Sequence, residues 1–395
     1  MMRLLGINEK ELVEVQGYHT SKEMVNQKQL WLDGTGIIGE YMKEIESFIE
    51  KIKATEDLKI YLVGAGSSAK AASVVENYIA RITGKDTFAI ASTDLITQPD
   101  SYIAEGSKVL LVSFGSSGNT TEGLEAVEIF RQKCSKLYQI LIICSEQGEI
   151  IRKYNQVEGV LYVPIPKGTK GVSIAATGEF TLLIQYALMI FDIDHFDYYS
   201  EMFKNAAMDA ETFFVEDIDR VHAIANRKYE AIAALGSNAL NALASEMCLK
   251  IGELSNGHQV AQFNTIMEFR HGPKLVMNAN SLLSFFISGN PLTQKYEIDM
   301  LKECCLNKRN STIVAISMDY NKEIDDNCDY YFHFNRAGFP YRDDSHLIFQ
   351  YALYLQSFAI LKSINLKVAP DRLDTDGDGF INKVAQGVIV HRQGK

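Results

Sequence analysis

The sequence predicts an α/β protein: two tandem doubly wound domains, each built on a parallel sheet, with an N-terminal helical arm. Two observations predict it. Between Leu58 and His195, short apolar and β-branched runs alternate with longer stretches of helical periodicity, the pattern of parallel strands and their crossover helices. The pattern is also written twice. Gly64, Ser117 and Ser145 each close an apolar run, and Gly236, Ser288 and Ser317 do the same 172, 171 and 172 residues later. Unrelated turns would not keep one offset, so the spacing points to a duplicated unit whose ligand loops leave the carboxyl ends of the strands.

In chain order, residues 1–55 form the arm, with Ile37, Ile38, Met42, Ile45 and Phe48 supplying its apolar spacing. Residues 56–215 form the first domain, its strands read at Ile60–Gly64, Val109–Phe114 and Ile140–Cys144. Helices are expected over Ala69–Ile82, Thr121–Lys136 and Thr177–Phe191. Residues 216–365 form the second domain, with strands at Ile232–Gly236, Leu282–Ile287 and Ile313–Ser317. Residues 366–395 are a tail: a Pro, Asp and Gly-rich loop over Val368–Asp378, then a short element at Lys383–Val390.

Composition narrows the function. The 395 residues are 47% hydrophobic and 23% charged, enough for two ordinary cores. No apolar run reaches the roughly 18 residues of a membrane span, and the charged N-terminus lacks a signal-peptide core, so a cytoplasmic protein with no membrane partner is expected. The net charge is −11 and no lysine-arginine stripe interleaves with aromatics, which argues against nucleic acid. Six scattered cysteines without a Cys-x-x-Cys read as reduced core thiols.

Two loops carry anion chemistry. Gly64-Ala-Gly-Ser67-Ser68 sits between a strand and a helix, where free amides and hydroxyls favour an anion; an ordinary capped turn has the same look. Ser113-Phe-Gly-Ser116-Ser117-Gly-Asn119-Thr120-Thr121-Glu122 places five hydroxyls in ten residues ahead of a helix, more than capping requires. Neither loop ends in the Gly-Lys-Ser/Thr of a nucleotide loop, so no nucleotide chemistry and no cofactor is expected. What remains is a hydroxyl-lined cradle for a phosphate or sulfonate. Further on, Lys250 and Glu253 share a helix face at spacing three, and Glu268-Phe-Arg-His271-Gly-Pro273 follows. A carboxylate and an imidazole at such positions can move protons on a sugar. The plainer alternative is a solvated Lys-Glu pair and a turn histidine.

At these residues the chain resembles the sugar isomerase (SIS) domain, a flavodoxin-like parallel fold, present as a tandem pair. It is most similar to the AgaS family of tagatose-6-phosphate ketose/aldose isomerases and galactosamine-6-phosphate deaminases. Thr20-Ser-Lys-Glu23, Gln27, Trp31, Ala176-Thr177, Phe180-Thr181 and Val384-Ala-Gln-Gly-Val388 extend the resemblance beyond the core. It implies Glu253 as the base that moves a proton between the first and second carbons. Ser67, Ser116, Ser117 and Thr120 would hold the phosphate, with Ser68 and Asn119 beside them. His271 would open the sugar ring, reaching the site from a partner subunit, so a homodimer with a shared active site is implied. Lys250 would lie near the sugar, and Lys383, or Gln386 in a shifted alignment, would come from the tail.

The implied reaction is isomerisation of a hexose bearing an anion at its sixth carbon, with deamination if the substrate is an amino sugar. Galactosamine 6-phosphate to tagatose 6-phosphate is the leading case. Family members have Arg where Ser116 stands and Ser-Pro-Glu where Thr120-Thr121-Glu122 stands, and Lys167 and Lys170 add cations. Those changes make a sulfonated sugar such as sulfoquinovose the alternative substrate. A non-catalytic sugar-phosphate sensor is the other alternative. Asp374, Asp376 and Asp378 with Gly379 match the opening of a calcium loop, but Ala385 stands at the twelfth position, so an Asp-Gly turn is the preferred reading and no metal is expected.

Overall fold

The computed structural model describes residues 3–173, 175–372 and 388–391. The described chain opens with a hairpin, β1 (Arg3–Leu4) and β2 (Ile7–Asn8), within an arm that the sequence reads as mainly helical. Leu5 and Gly6 both take positive φ, as a tight two-residue hairpin turn requires. Helices α1 (Glu9–Glu14), α2 (Tyr18–Glu40) and α3 (Met42–Ala54) follow. Ile38, Ile45 and Phe48 are buried, as their spacing predicts.

The first sheet contains β3 (Leu58–Gly64), β4 (Thr87–Ala91), β5 (Lys108–Gly115), β6 (Lys136–Ile143) and β7 (Val160–Tyr162), every pair parallel, in the order β4-β3-β5-β6-β7. Its crossovers are α4 (Ser67–Thr83), α5 (Ser92–Thr97), α6 (Thr121–Lys133) and α7 (Glu149–Tyr154), closed by α8 (Gly178–Phe191). Helix α6 stops short of the expected Lys136 because Cys134 turns extended and Lys136 already pairs with Lys108. α9 (Phe196–Thr212), a π-helical turn at Phe213–Asp217 and α10 (Ile218–Ala225) lead onward.

The second sheet repeats the strand order. It contains β8 (Ala231–Gly236), β9 (Ala261–Asn264), β10 (Ser281–Phe286), β11 (Thr312–Ser317) and β12 (Tyr330–His333), again all parallel, arranged β12-β11-β10-β8-β9. Its helices are α11 (Ala239–Leu254), α12 (Ile266–Phe269), α13 (Pro291–Leu306), α14 (Lys322–Asp325) and α15 (Ile348–Asn365). Helix α8 is buried along its whole length and α15 from Ile348 to Ser363, as helices apolar on every side must be.

The described residues group into two compact units. The first-sheet unit holds Leu30–Lys170 and Gly178–Ser200; the second-sheet unit holds the opening segment up to Gln29, the stretch Gly171–Thr177 and the chain from Glu201 to Arg372. Helix α2 therefore begins in one unit and ends in the other. Its amino half is tied down by buried polar groups: Asp371 accepts from the amides of His19 (3.0 Å) and Thr20 (2.8 Å), and Gln27 donates to Gln356 (2.8 Å), which donates to the Thr177 carbonyl (3.1 Å). Glu23 accepts from the amides of Val172 and Ser173 at 2.7 and 3.1 Å. In the first-sheet unit, Trp31 Nε1 donates to Thr181 Oγ1 (2.9 Å), and Gln185 donates to Thr35 Oγ1 (3.0 Å).

Both sheets launch their first crossover helix through a turn that excludes a side chain. A Cβ on Gly64 would lie 2.8 Å from the Ser68 carbonyl carbon, and one on Gly236 would lie 2.4 Å from the Leu240 carbonyl oxygen. Two residues later Gly66 adopts φ 56° and ψ −128°, and Asn238 takes nearly the same conformation, φ 51° and ψ −121°. Gly236→Ala and Gly64→Ala are each expected to destabilise the protein by about 1–3 kcal/mol, because backbone must move to admit the methyl group. Urea melts of the two variants against the parent chain check this.

Candidate functional site

In the first-sheet unit, strand order reverses between β3 and β5, and the loops leaving those two strands flank the crevice where open α/β sheets bind ligands. These are the two hydroxyl-rich loops. A recess there is lined by Gly64, Ala65, Ser92, Gly115, Gly118 and Thr120. Ser67, Ser116 and Ser117 are half-buried, Asn119 and Thr120 exposed, and Ser68 is buried against β3. The loop holds its own shape: the Asn119 amide donates to Ser117 Oγ (3.2 Å), and Asn119 Oδ1 accepts from the Glu149 amide (2.8 Å). Among the described residues, no carboxylate bonds the hydroxyls of Ser67, Ser116, Ser117 or Thr120. A larger cavity of about 590 Å³, lined by residues including Phe48, Lys51, Lys136, Tyr138 and Glu158, lies toward the amino ends of β6 and β7, away from these loops.

The same position in the second-sheet unit is arranged differently. The Ser288-Gly289-Asn290 loop after β10 keeps the internal bond, Asn290 amide to Ser288 Oγ at 3.0 Å. Here, however, protein carboxylates occupy the donors. Ser288 Oγ donates to Asp344 Oδ2 (2.6 Å) and the Gly289 amide to Asp344 Oδ1 (2.8 Å). Glu297 accepts from the Ser288 amide (2.7 Å) and from Ser237 Oγ (2.7 Å). Glu297 is completely buried, and burial, aided by the neighbouring Asp344 charge, pushes its pKa up to about 7 against the hydrogen bonds that favour its anion.

Helix α11 carries the proton-transfer candidates. Lys250 Nζ lies 2.8 Å from Glu253 Oε2 and 3.4 Å from Glu246 Oε1, so positions 246, 250 and 253 form one acid-base-acid line along the helix. Burial disfavours the charge of Lys250, which is 1% exposed, but the carboxylates of Glu246 and Glu253 outweigh it and push its pKa up to about 12. Glu246 and Lys250 are inside the protein, while Glu253, in the last turn, keeps its side chain 15% exposed. The geometry is a reachable carboxylate held in place by a buried ammonium. It is not the solvated surface pair that the spacing alone also allowed.

His271 follows α12 on an exposed loop, its amide donating to the Glu268 carbonyl at 2.8 Å, and Glu268 is exposed as well. The structure thus brings Lys250 and Glu253 together and leaves His271 facing solvent on its own chain. Lys383, Gln386 and the Asp374, Asp376 and Asp378 loop lie outside the described residues. Among the described residues no cluster of His, Cys, Asp and Glu is arranged to hold a metal ion, and no helix is long and apolar enough to cross a membrane. Sequence reasoning missed Glu246, whose signal was its place four residues before Lys250, and it missed Asp344 and Glu297, which meet Ser288 and Ser237 across 56 and 60 residues.

Residues 54–190 match the SIS domain family, the class of protein to which the sheet order and the loops point. The chain is 31% identical over 382 residues to a Streptomyces coelicolor protein provisionally named D-galactosamine-6-phosphate deaminase AgaS, covering 96% of this chain and 97% of that one. Among solved structures, a Clostridium novyi NT protein provisionally named tagatose-6-phosphate ketose/aldose isomerase is 30% identical with a TM-score of 0.94, covering 99% of this chain and 100% of the other. Tagatose-6-phosphate ketose/aldose isomerase from Escherichia coli is 26% identical with a TM-score of 0.85, covering 95% and 97%. The chain belongs to the AgaS family of tandem SIS-domain proteins.

The buried Glu297 generates a test of the second-sheet arrangement. Its folded pKa of about 7 exceeds its ordinary 4.5, so between those values the folded state binds more protons than the unfolded state, and stability falls as pH rises through that window. Glu297→Gln is expected to remove that loss, so that the parent declines relative to the variant by on the order of 3 kcal/mol between pH 4.5 and 7. Asp209, raised to about 6 by burial, adds a decline common to both proteins that cancels in the comparison. Urea melts of both proteins across this pH range measure it.

Proposed function

We propose that this protein is an enzyme that interconverts aldose and ketose forms of a hexose bearing an anionic group on its sixth carbon, releasing ammonia when the second carbon carries an amine. The best candidate reaction is galactosamine 6-phosphate plus water to tagatose 6-phosphate plus ammonia. The observation that carries the reading is the Lys250–Glu253 pair: a carboxylate of restricted motion, one oxygen fixed by a buried ammonium, at the end of a rigid helix. Support also comes from relatives named as deaminase and isomerase that match nearly the whole chain.

In this reading Glu253 takes the proton from the second carbon of the open-chain aldose and returns it to the first, so that one group serves as base and then acid; from an amino sugar this shift yields a ketimine at the second carbon, which water hydrolyses to the ketose and ammonia. Lys250 orients Glu253 and presents a positive charge near the enediol-like anion. The hydroxyls of Ser67, Ser116, Ser117 and Thr120, with Ser68 and Asn119, hold the sixth-carbon anion. His271 assists ring opening; its exposure on this chain fits a role in the site of a second copy, which makes the working form a homodimer. Lys383 would contribute from the tail.

Two variants test the roles. Glu253→Gln removes the base while keeping a hydrogen-bonding side chain, so kcat should fall about 10²–10⁴-fold with substrate still bound. Proton NMR in deuterated water, which reads exchange at the second carbon, together with an ammonia assay on galactosamine 6-phosphate, measures the loss. Undiminished exchange in the variant overturns the assignment of the base, and turnover of sulfoquinovose alone would move the substrate to a sulfonated sugar. Ser117→Ala weakens anion holding in ground and transition states alike, so KM should rise more than kcat falls. Steady-state kinetics separate the two constants, and an unchanged KM would remove that serine from the anion site.

A further inference from the structure

The two loops that follow the third strand of each sheet's order share sequence and local geometry, but they differ in what faces their donors. Each is Ser-Gly-Asn, with the asparagine amide turned back onto the serine hydroxyl at 3.2 Å in the first and 3.0 Å in the second. In the second, the serine hydroxyl and glycine amide diverge onto the two oxygens of the Asp344 carboxylate, as two donors would grasp two oxygens of a phosphate. Glu297, wholly buried, takes the remaining donors, the Ser288 amide and the Ser237 hydroxyl. Ser237 itself lies in the turn between β8 and α11, the counterpart of the turn that carries Ser67.

The corresponding positions around the first loop carry no acid. Asp344 lies 56 residues after Ser288, and 56 residues after Ser117 the sequence has Ser173. Glu297 lies nine residues after Ser288, and nine residues after Ser117 stands the buried Ala126, next to Glu125. Neither carboxylate of the second cradle has an acid at the same distance from the Ser117 loop.

We infer that the second sheet retains an anion cradle held shut by the protein's own carboxylates, Asp344 and Glu297, so that each chain accepts one anion, at the Ser117 loop alone. The inference rests on the assignment of that loop as the anion site, and it gives the second cradle a structural occupant in place of a ligand. Coulomb repulsion from Asp344, added to its occupation of the donors, excludes a second anion. The closed cradle ties the loop after β10 to the segment preceding α15 and to α13 without any external group.

Inorganic phosphate is the probe. In the full-length wild-type protein, transverse-optimised NMR of backbone amides under phosphate titration should move Gly118 and leave Gly289 in place, and calorimetry should saturate at one phosphate per chain. The double variant Glu297→Gln with Asp344→Ala should move the Gly289 amide as well and saturate at two per chain. Movement of the Gly289 amide in the wild type overturns the inference, as does a folded double variant whose Gly289 amide does not respond. If the double variant fails to fold, the wild-type amides decide. A wild type in which neither loop responds removes the Ser117 loop from the anion site, whereas a Gly289 response gained only in the variant still establishes the closed cradle.

Discussion

The architecture depends on two turns in which strand and helix approach too closely for a side chain. At Gly64 and Gly236 the strand that comes first along the chain in each sheet hands over to its crossover helix with no space for a Cβ, and the next turn residue but one adopts positive φ. This constraint brings the first turn of the helix against the end of the strand. In the first sheet that turn leads into α4, whose first residue is Ser67, and its Gly64 and Ala65 line the same recess as Gly118 and Thr120. In the second it places Ser237 against Glu297 and starts α11 at the point from which its final turn carries Glu253. The proposed anion loop and the proposed proton-transfer pair thus each follow a turn of the same kind.

Buried charge separates the two sheets further. Helix α11 takes Lys250 and Glu246 out of solvent and leaves Glu253 partly exposed, and the arrangement is tolerable because the ammonium meets one acid on each side along the helix. Removing either partner would leave uncompensated charge inside the protein, so the set is interdependent. The Asp344 and Glu297 carboxylates solve a similar problem differently, by taking backbone amides and hydroxyls as partners. Among the described residues Glu297 has no ion-pair partner, and it moves toward its neutral form; Lys250, flanked by two acids, stays charged.

Much of this was legible in the sequence because the relevant signals are local. The constant offset between Gly64 and Gly236, Ser117 and Ser288, and Ser145 and Ser317 gave two parallel sheets, and the sheets share their strand order. Lys250 and Glu253 announced themselves by helical spacing, although the burial that distinguishes a fixed pair from a solvated one is a property of packing. The hairpin at Arg3–Asn8 is only two residues to a strand, too short for periodicity to reveal. Asp344 lay beyond reach for another reason: it meets Ser288 across 56 residues, and in sequence it is one acid in an Asp-Asp-Ser turn. The roles of Thr20, Glu23, Gln27 and Trp31 were likewise invisible as motif letters and become clear as the polar groups that anchor α2.

The anchoring of α2 also bears on the order in which the chain can acquire its structure during synthesis. Thr20 meets Asp371 across 351 residues, and Gln27 meets Gln356 across 329. A ribosome releases the amino half of this helix long before its partners exist, so those buried polar groups must wait in water until nearly the whole polypeptide has emerged. The first sheet, whose strands are complete by Tyr162, can assemble while the remainder is still being made. The beginning of the protein is therefore among the last parts to reach its final packing, and loss of the segment around Asp371 would be felt first at the opposite terminus.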